Sequence, residues 1–219
     1  MNPISPEIDQ TFSTLVSEWM ERGGPVMWPL LLCSVIAVAV VVERAIIFLL
    51  CSRRASRGEQ ALETAYALLQ DGKTEEAAET AKSAGPIGEV LSTALTMKNM
   101  SLEDALETAG GQFLSNLRRH MPLLDTIITL APMLGILGTV TGIIGSFRLL
   151  DMAGGTDPAA ISTGIAEALI TTASGLTIAI AALVPFNFFK TRLADWAKQI
   201  DRAARRCLTA YQKGKPHAV

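Results

Sequence analysis

Three long apolar stretches constrain this chain more than any other feature of its sequence. They occupy residues 26–50, 123–147 and 161–189. A helix of about 20 mostly apolar residues is long enough to cross the hydrocarbon core of a bilayer. The sequence therefore predicts an all-α, polytopic membrane protein with three transmembrane helices. The first stretch is too long for a signal-peptide core and follows an acidic leader, so the leader is expected to stay on the mature chain.

Lysine and arginine are unevenly distributed outside these stretches. Segments 51–122 and 190–219 carry eight basic residues each, sixteen in total. Outside the spans, the rest of the chain carries two basic residues, Arg22 and Arg148. Basic residues are enriched on the cytoplasmic side of membrane proteins. We therefore expect the N-terminus and the loop 148–160 outside, and the C-terminus in the cytoplasm.

The apolar stretches and the charges together predict seven segments. In chain order they are an external amphipathic segment 1–25, with a helix over 8–22, the first span 26–50, a cytoplasmic helical region 51–122, the second span 123–147, an external loop 148–160, the third span 161–189 and a cytoplasmic helical tail 190–219.

The cytoplasmic region has the pattern of several short helices. Asp71–Gly72 predicts a turn between two of them, and Gly85–Pro86 predicts a stop. Ser101 lies three residues before Asp104, which is typical of a helix N-cap. About 60 residues of this kind predict a small helical bundle and not an enzyme domain with a cleft.

The tail continues the helical pattern of the third span. Apolar residues recur there every three or four positions, which predicts a helix with an apolar stripe facing neighbours. The long extension of a membrane helix also suggests a helical barrel or bundle built from several copies. The stripe consists of Phe189, Leu193, Trp196, Ile200, Ala203, Cys207 and Tyr211.

Small residues line one face of the second span. Such residues allow membrane helices to approach closely. In the structural interpretation, the stripe is a packing face, and the Thr139 hydroxyl forms a hydrogen bond with the backbone of its own helix. The stripe consists of Gly135, Gly138, Thr139, Gly142 and Ser146.

The third span carries two neighbouring stripes, one small and one polar. Thr172 belongs to the small stripe and Glu167 to the polar one, and they lie roughly 140° apart on a helix of about 100° per residue. The small stripe faces a pore or a partner helix, and Glu167 then points towards the second span or the next subunit. The small stripe is Gly164, Ala168, Thr172, Gly175, Ala179 and Ala182, and the polar one is Glu167, Thr171 and Ser174.

Glu167 is an ionisable residue inside a membrane segment. Such residues are costly and mark ion pathways by default, whereas the plainer interpretation is an interhelical hydrogen bond that supports assembly. Glu43 and Arg44, near the cytoplasmic end of the first span, are predicted to be a snorkelling interfacial pair. Asp125 is interpreted as interfacial first and functional second.

Several function classes lack support in the sequence. His120 and His217 have no companion ligands at metal spacing, so we expect no metal and no cofactor. No nucleophile is paired with a base, and Ser174 has no histidine or lysine within a span to activate it as in an intramembrane protease. We therefore expect neither an enzyme nor a nucleic-acid-binding protein.

Two stretches carry a family resemblance. "LAPMLGILGTVTGIIGSF", followed by "GIAEALITTASGLTIAIAALVPFNFF", resembles the paired helix motifs of the ExbB/TolQ proton-channel family, related more distantly to MotA. The resemblance covers both helices and the loop between them, about 65 residues. The short cytoplasmic region and the three spans differ from flagellar stators, which have four spans.

The resemblance implies an assembly and a set of site residues. It implies a homopentamer in the lipid of the bacterial inner membrane around a single-span partner of the ExbD/TolR type, with a TonB/TolA-type protein as a further partner. It implies that Thr139 and Thr172 line the pore together with Glu167, and that Pro132 is the second-helix proline of the family. Secondary pore candidates are Thr171, Thr141 and Ser174, and helix-packing candidates are Gly135, Gly138, Gly142, Gly164, Gly175 and Pro132.

The implied function is a proton-channel subunit driven by the proton-motive force. It energises TonB-dependent outer-membrane transport if it is ExbB-like, or Tol-Pal envelope maintenance if it is TolQ-like. Proton rather than sodium is favoured by resemblance. The alternative is a structural membrane scaffold without ion conduction, in which the small-residue faces only mediate assembly.

Overall fold

The computed structural model describes residues 23–55, 58–152 and 158–214. Helices account for 90% of them, and this part of the chain contains no strand. The helices are α1 (Met27–Ala55), α2 (Glu59–Gln70), α3 (Thr74–Lys82), α4 (Gly85–Thr96), α5 (Leu102–Arg118), α6 (Met121–Met152) and α7 (Pro158–Gly214). The predicted N-terminal helix over 8–22 lies outside the described residues.

Three of these helices are long and apolar enough to cross a membrane. The candidate spans lie within Met27–Arg54, Leu102–Arg148 and Ser162–Gly214, by length and composition. The prediction of an all-α protein with three such helices is therefore confirmed. Helix α6 continues to Met152 and α7 begins at Pro158, so helical residues extend into the predicted loop 148–160 from both sides.

The chain divides into two compact units, and α1, α6 and α7 contribute residues to both. The first unit comprises residues up to Val41 together with Pro122–Phe186, and the second comprises Val42–Met121 together with Asn187–Val219.

The first unit has an apolar core between its three helices. Small and medium side chains of α1 recur there every three or four residues, as expected for one face of a helix. The large apolar side chains on the other faces remain exposed, as on a helix that meets lipid or another protein chain. The core contains Met27, Leu30, Cys33, Ala37 and Val40 of α1, Leu124, Ile127 and Ala131 of α6, and Ala182 of α7.

The second unit begins with a helical hairpin. Helices α2 and α3 are joined at Asp71–Gly72, as predicted, and Gly72 has a φ of +79°, which is unfavourable for other residues. The Ser101 hydroxyl accepts a hydrogen bond of 3.2 Å from the backbone N–H of Asp104 and caps α5, also as predicted. Pro86 lies in the first turn of α4, where its missing N–H costs nothing.

The apolar stripe of the tail packs within this unit. Ile200, Ala203 and Cys207 of α7 belong to one core with Leu69 of α2 and Leu106 of α5. The neighbours that the central part of the stripe faces are therefore other helices of the same chain. Continuation of the third span as one long helix is confirmed, since α7 has 57 residues.

Candidate functional site

The helix seam between α6 and α7, within the first unit, brings the small residues of both spans together. A Cβ atom on Gly135 would lie 3.0 Å from the Cα of Thr172, and one on Gly142 would lie 3.1 Å from the Cβ of Ala168. A Cβ on Gly138 would overlap the side chain of Thr171. The small-residue face of α6 therefore meets α7 at near-backbone contact, which larger side chains would prevent.

The glycines of α7 complete the same seam. A Cβ on Gly175 would lie 3.2 Å from the Cα of Gly135 and would overlap the Ala131 carbonyl. A Cβ on Gly164 would overlap the Ser146 hydroxyl. Of the two directions that the sequence left open for the small stripe, the structure shows contact with a helix of the same chain.

A hydrogen bond crosses this seam. The Thr172 hydroxyl donates to the carbonyl oxygen of Gly135 at 2.9 Å. Thr172 is half-buried, so part of its side chain remains accessible. The bond joins two residues that are 37 positions apart, and it depends on the close approach that Gly135 allows.

The other candidate hydroxyls donate to carbonyls of their own helix. Thr139 donates to Ile136 at 2.6 Å, and Thr171 donates to Ala168 at 2.8 Å. Thr141 and Ser174 also donate to carbonyls three or four residues earlier in their helices. Thr171 is only 1% exposed, because it is enclosed in the seam against Gly138, whereas Thr139 is half-buried.

The carboxylate of Glu167 lies against the backbone of Gly24. Gly24 has a φ of +66° and precedes the first residue of α1 by three positions. A Cβ at position 24 would overlap Oε1 of Glu167. The N-terminal end of a helix carries a partial positive charge, which favours a carboxylate near it. The helical wheel had pointed this side chain towards the second span or another subunit, whereas the observed contact is with the turn that precedes the first span.

Pro132 lies inside α6 and is half-buried. A proline within a helix lacks the N–H that would bond the carbonyl four residues earlier, here that of Ile128. The position therefore interrupts the backbone hydrogen bonding of α6 about two turns before Thr139 and within the candidate span.

Sequence reasoning missed a charge cluster around a buried arginine in the second unit. Arg44 is 2% exposed, and its Nη1 donates to the carbonyls of Leu117 at 3.0 Å and Asn116 at 3.2 Å. Its Nη2 donates to Glu43 Oε1 at 2.7 Å, and Glu43 Oε2 lies 2.7 Å from His120 Nδ1. The prediction that Glu43 and Arg44 snorkel at the interface is wrong for Arg44, because the last turn of α5 receives its guanidinium inside the protein.

The sequence held only a weak signal for this cluster. A charged pair within an apolar helix needs compensation, but nothing in the sequence identifies the end of α5 as its partner. The last carbonyls of a helix lack intrahelical partners and carry a partial negative charge, so they suit a guanidinium.

Metal binding has no support among the described residues, which contain no group of three His, Cys, Asp or Glu side chains placed to hold an ion. Cys33, Cys51 and Cys207 are free thiols.

Three apolar helices with hydroxyls and a carboxylate placed inside them define a multi-pass helical membrane protein with a polar site in its spans. Comparison with known proteins then assigns the family. Residues 82–202 match the model of the MotA/TolQ/ExbB proton channel family. The chain belongs to this family, which is a channel family and not a family of enzymes.

Individual relatives agree with this assignment. The biopolymer transport protein ExbB-like 1 of Synechocystis sp. is 39% identical over 79% of this chain and 69% of its own length. ExbB-like 3 of the same organism is 33% identical over 77% of this chain and 82% of its own. The Tol-Pal system protein TolQ of Pseudomonas aeruginosa is 43% identical over 35% of this chain and 33% of its own.

Proposed function

We propose that this chain is the proton-channel subunit of a membrane complex driven by the proton-motive force. The observation that carries the proposal is the family match over 82–202, which includes the second span and most of α7 with its hydroxyls and Glu167. Relatives named ExbB and TolQ both match. The proposal therefore concerns the energised complex common to the two systems, in TonB-dependent transport or Tol-Pal envelope maintenance.

The proposed assembly is a homopentamer in the bacterial inner membrane around a single-span partner of the ExbD/TolR type. A TonB- or TolA-type protein receives the resulting force. The distribution of basic residues supports an external N-terminus and a cytoplasmic C-terminus. The predicted side of the membrane is kept for every segment in this proposal, and the external segment 148–160 begins and ends with helical residues.

The ion pathway is proposed to follow Thr139 and Thr172, with Glu167 beside it. A proton that crosses down the membrane potential releases about 2.3 kcal/mol per 100 mV. Hydroxyl oxygens can accept a hydrogen bond from a protonated carboxyl group of the partner, and they add no charge to the membrane interior. Thr141, Thr171 and Ser174 are secondary, and the enclosure of Thr171 in the seam favours a packing role for it.

A structural scaffold is the second candidate, favoured by the contact between Glu167 and Gly24. In that case Glu167 supports the turn before α1 and conducts nothing. Because an amide retains the shape and hydrogen-bonding capacity of the carboxyl group, Glu167→Gln should then leave function unchanged. A proton-handling carboxylate should lose activity in the same variant while the complex still assembles.

The first test is the native mass of the complex, purified from its own host through a tag on this chain. Five copies with a sub-stoichiometric single-span protein would support the motor subunit and identify its partner. The same complex in liposomes, with a potential imposed, should acidify the lumen as reported by an entrapped pH dye. Homo-oligomers alone and no proton flux would reject the channel in favour of the scaffold.

A further inference from the structure

The direction of the hydrogen bonds at Thr139 and Thr172 is fixed by chemistry. Each hydroxyl has one hydrogen, and its partner in each case is a backbone carbonyl, which has none. Thr172 must therefore donate to Gly135, and Thr139 must donate to Ile136. With the hydrogen used in this way, each Oγ1 presents only lone pairs to a further ligand.

The bond of Thr172 differs from those of the other hydroxyls in the seam. Threonine in a helix ordinarily bonds a carbonyl three or four positions earlier in its own helix, as Thr139 and Thr171 do. Thr172 crosses to α6 instead. The carbonyl of Gly135 is also the regular helical acceptor for the N–H of Thr139, four residues later. The Gly135 carbonyl therefore accepts hydrogen bonds from the backbone N–H of Thr139 and from the side-chain hydroxyl of Thr172.

Gly135 makes this arrangement possible. A side chain at this position would begin with a Cβ at 3.0 Å from the Cα of Thr172 and 3.3 Å from its carbonyl oxygen. Either distance is tighter than ordinary contact and would push the two helices apart. The hydroxyl of Thr172 would then lose Gly135 as its acceptor and would be free to turn.

We propose, on the basis of the proposed function, that Gly135 is a positioning residue that holds Thr172 as a hydrogen-bond acceptor. Thr172 and Thr139 then bind the protonated, neutral form of the partner's carboxyl group and not its carboxylate. A carboxylic acid can donate its O–H to the threonine oxygen. A carboxylate has no hydrogen to donate, so its lone pairs would face the lone pairs of the threonine oxygen and no hydrogen bond would form. To bind the carboxylate, Thr172 would first have to break its bond to Gly135.

This preference has a measurable consequence for the partner. A hydrogen bond made only by the neutral form of an acid raises the pKa of that acid. The threonines would thus favour the protonated form of the partner's carboxyl group. Sites that donated to the carboxylate would lower the same pKa. The sign of the change on removing a threonine hydroxyl therefore distinguishes the two arrangements.

Few other ionisable groups lie near this site in the first unit. Over residues 27–41, 122–148 and 162–186 they are Cys33, Asp125, Arg148 and Glu167. Cys33 is buried in the apolar core, and the Glu167 carboxylate lies against Gly24. Asp125 and Arg148 are ten and thirteen residues from Gly135 along α6, roughly 15 and 20 Å at the rise of a helix. All four are common to the wild type and the variants, so their influence cancels in a comparison.

The experiment is the pH dependence of proton flux in liposomes that contain the complex purified from its own host. Thr172→Val removes the acceptor while keeping the branched shape, and Thr172→Ser keeps the hydroxyl. We expect the midpoint of the flux profile to shift to lower pH by roughly half a unit to one unit in Thr172→Val, the value of one hydrogen bond. Thr172→Ser should retain the wild-type midpoint.

Thr177→Val serves as the matched control, because Thr177 donates to Ala173 on the exposed side of the same helix. Its midpoint should not move. If Thr172→Val fails to assemble, Thr139→Val replaces it, since Thr139 bonds only its own helix in the structure. The midpoint of the flux profile of Thr139→Val is expected to shift to lower pH by the same amount.

Two results would overturn the inference. A shift to higher pH would mean that the hydroxyl donates to the carboxylate. An unchanged midpoint with reduced flux would mean that Thr172 only supports packing. A wild-type complex without any proton flux would instead reject the proposed function, so the two failures are distinguishable.

Discussion

Arg44 donates a hydrogen bond of 3.0 Å to the carbonyl oxygen of Leu117, 73 residues later in the chain. The bond places a buried guanidinium at the C-terminal end of α5, where unpaired carbonyls and the helix dipole both favour a cation. The only buried side-chain nitrogen or oxygen without a partner among the described residues is Nε of the same group. Arg44 therefore joins the apolar helix α1 to the end of α5, just before α6 begins.

Arg44→Met should destabilise the protein by about 2–4 kcal/mol, because the carbonyls of Leu117 and Asn116 would lose a charged donor in a buried place. Thermal unfolding in detergent, followed by circular dichroism, measures the effect. Arg205→Ala is the control, since Arg205 is 79% exposed and pairs with Asp201 on the surface. It should leave the unfolding temperature nearly unchanged, and equal effects of the two changes would contradict the role of Arg44.

Gly138→Ala should weaken the seam, because its Cβ would overlap the side chain of Thr171. Overpacking of this kind costs about 1–3 kcal/mol. Gly145→Ala on the same helix meets nothing within 4 Å and should be neutral or slightly stabilising through helix propensity. The unfolding temperatures of the two variants in detergent give the comparison. A stable Gly138→Ala would show that α6 and α7 do not pack as described.

Gly24→Ala should be destabilising for two separable reasons. A positive φ costs a non-glycine residue about 1–2 kcal/mol, and the new methyl group would overlap the Glu167 carboxylate. In a Glu167→Ala background only the first cost should remain. A double-mutant cycle on unfolding free energies measures the difference. Strict additivity of the two changes would argue against the contact.

The buried phenol of Tyr66 should make the protein less stable at alkaline pH. Burial raises the pKa of its phenol to about 12, and its hydroxyl donates to the carbonyl of Ala203 at 3.3 Å. Because the folded-state pKa lies above the ordinary value of about 10, the neutral phenol contributes its full stability below about pH 10. That stability is lost as the pH rises towards 12.

Tyr66→Phe tests this expectation, because phenylalanine does not ionise. Relative to wild type, the variant should gain stability between about pH 10 and 12, by about 2 kcal/mol at the upper end. Chemical unfolding of the full chain in detergent at a series of pH values measures the difference between the two curves. Parallel curves over this range would contradict the buried, neutral phenol.

Local features of the sequence predicted the helices well. The spans follow from the length of apolar runs, the α2–α3 turn from Asp71–Gly72, and the cap of α5 from Ser101 and Asp104. Each of these features is determined by residues within a few positions of one another. A local sequence pattern is therefore sufficient to predict it.

The partners of polar groups were predicted less well. The helical wheel separated Thr171 from the small stripe, yet Thr171 is enclosed against Gly138 while Thr172 bonds Gly135. Both faces meet the same helix because the glycines of α6 allow it to approach α7 closely enough to cover a wide arc. A wheel shows the direction of a side chain from its own axis and says nothing of how near the next axis lies.

The sequence by itself determined that this chain forms three long apolar helices with hydroxyls and carboxylates inside them. Backbone hydrogen bonding and side-chain periodicity are local, so composition along the chain suffices for that result. Only the tertiary structure decided that Thr172 donates to Gly135, that Glu167 lies against Gly24 and that Arg44 reaches Leu117. These contacts join residues 37 to 143 positions apart, and they form only where helix packing brings the two backbones within hydrogen-bonding or van der Waals distance.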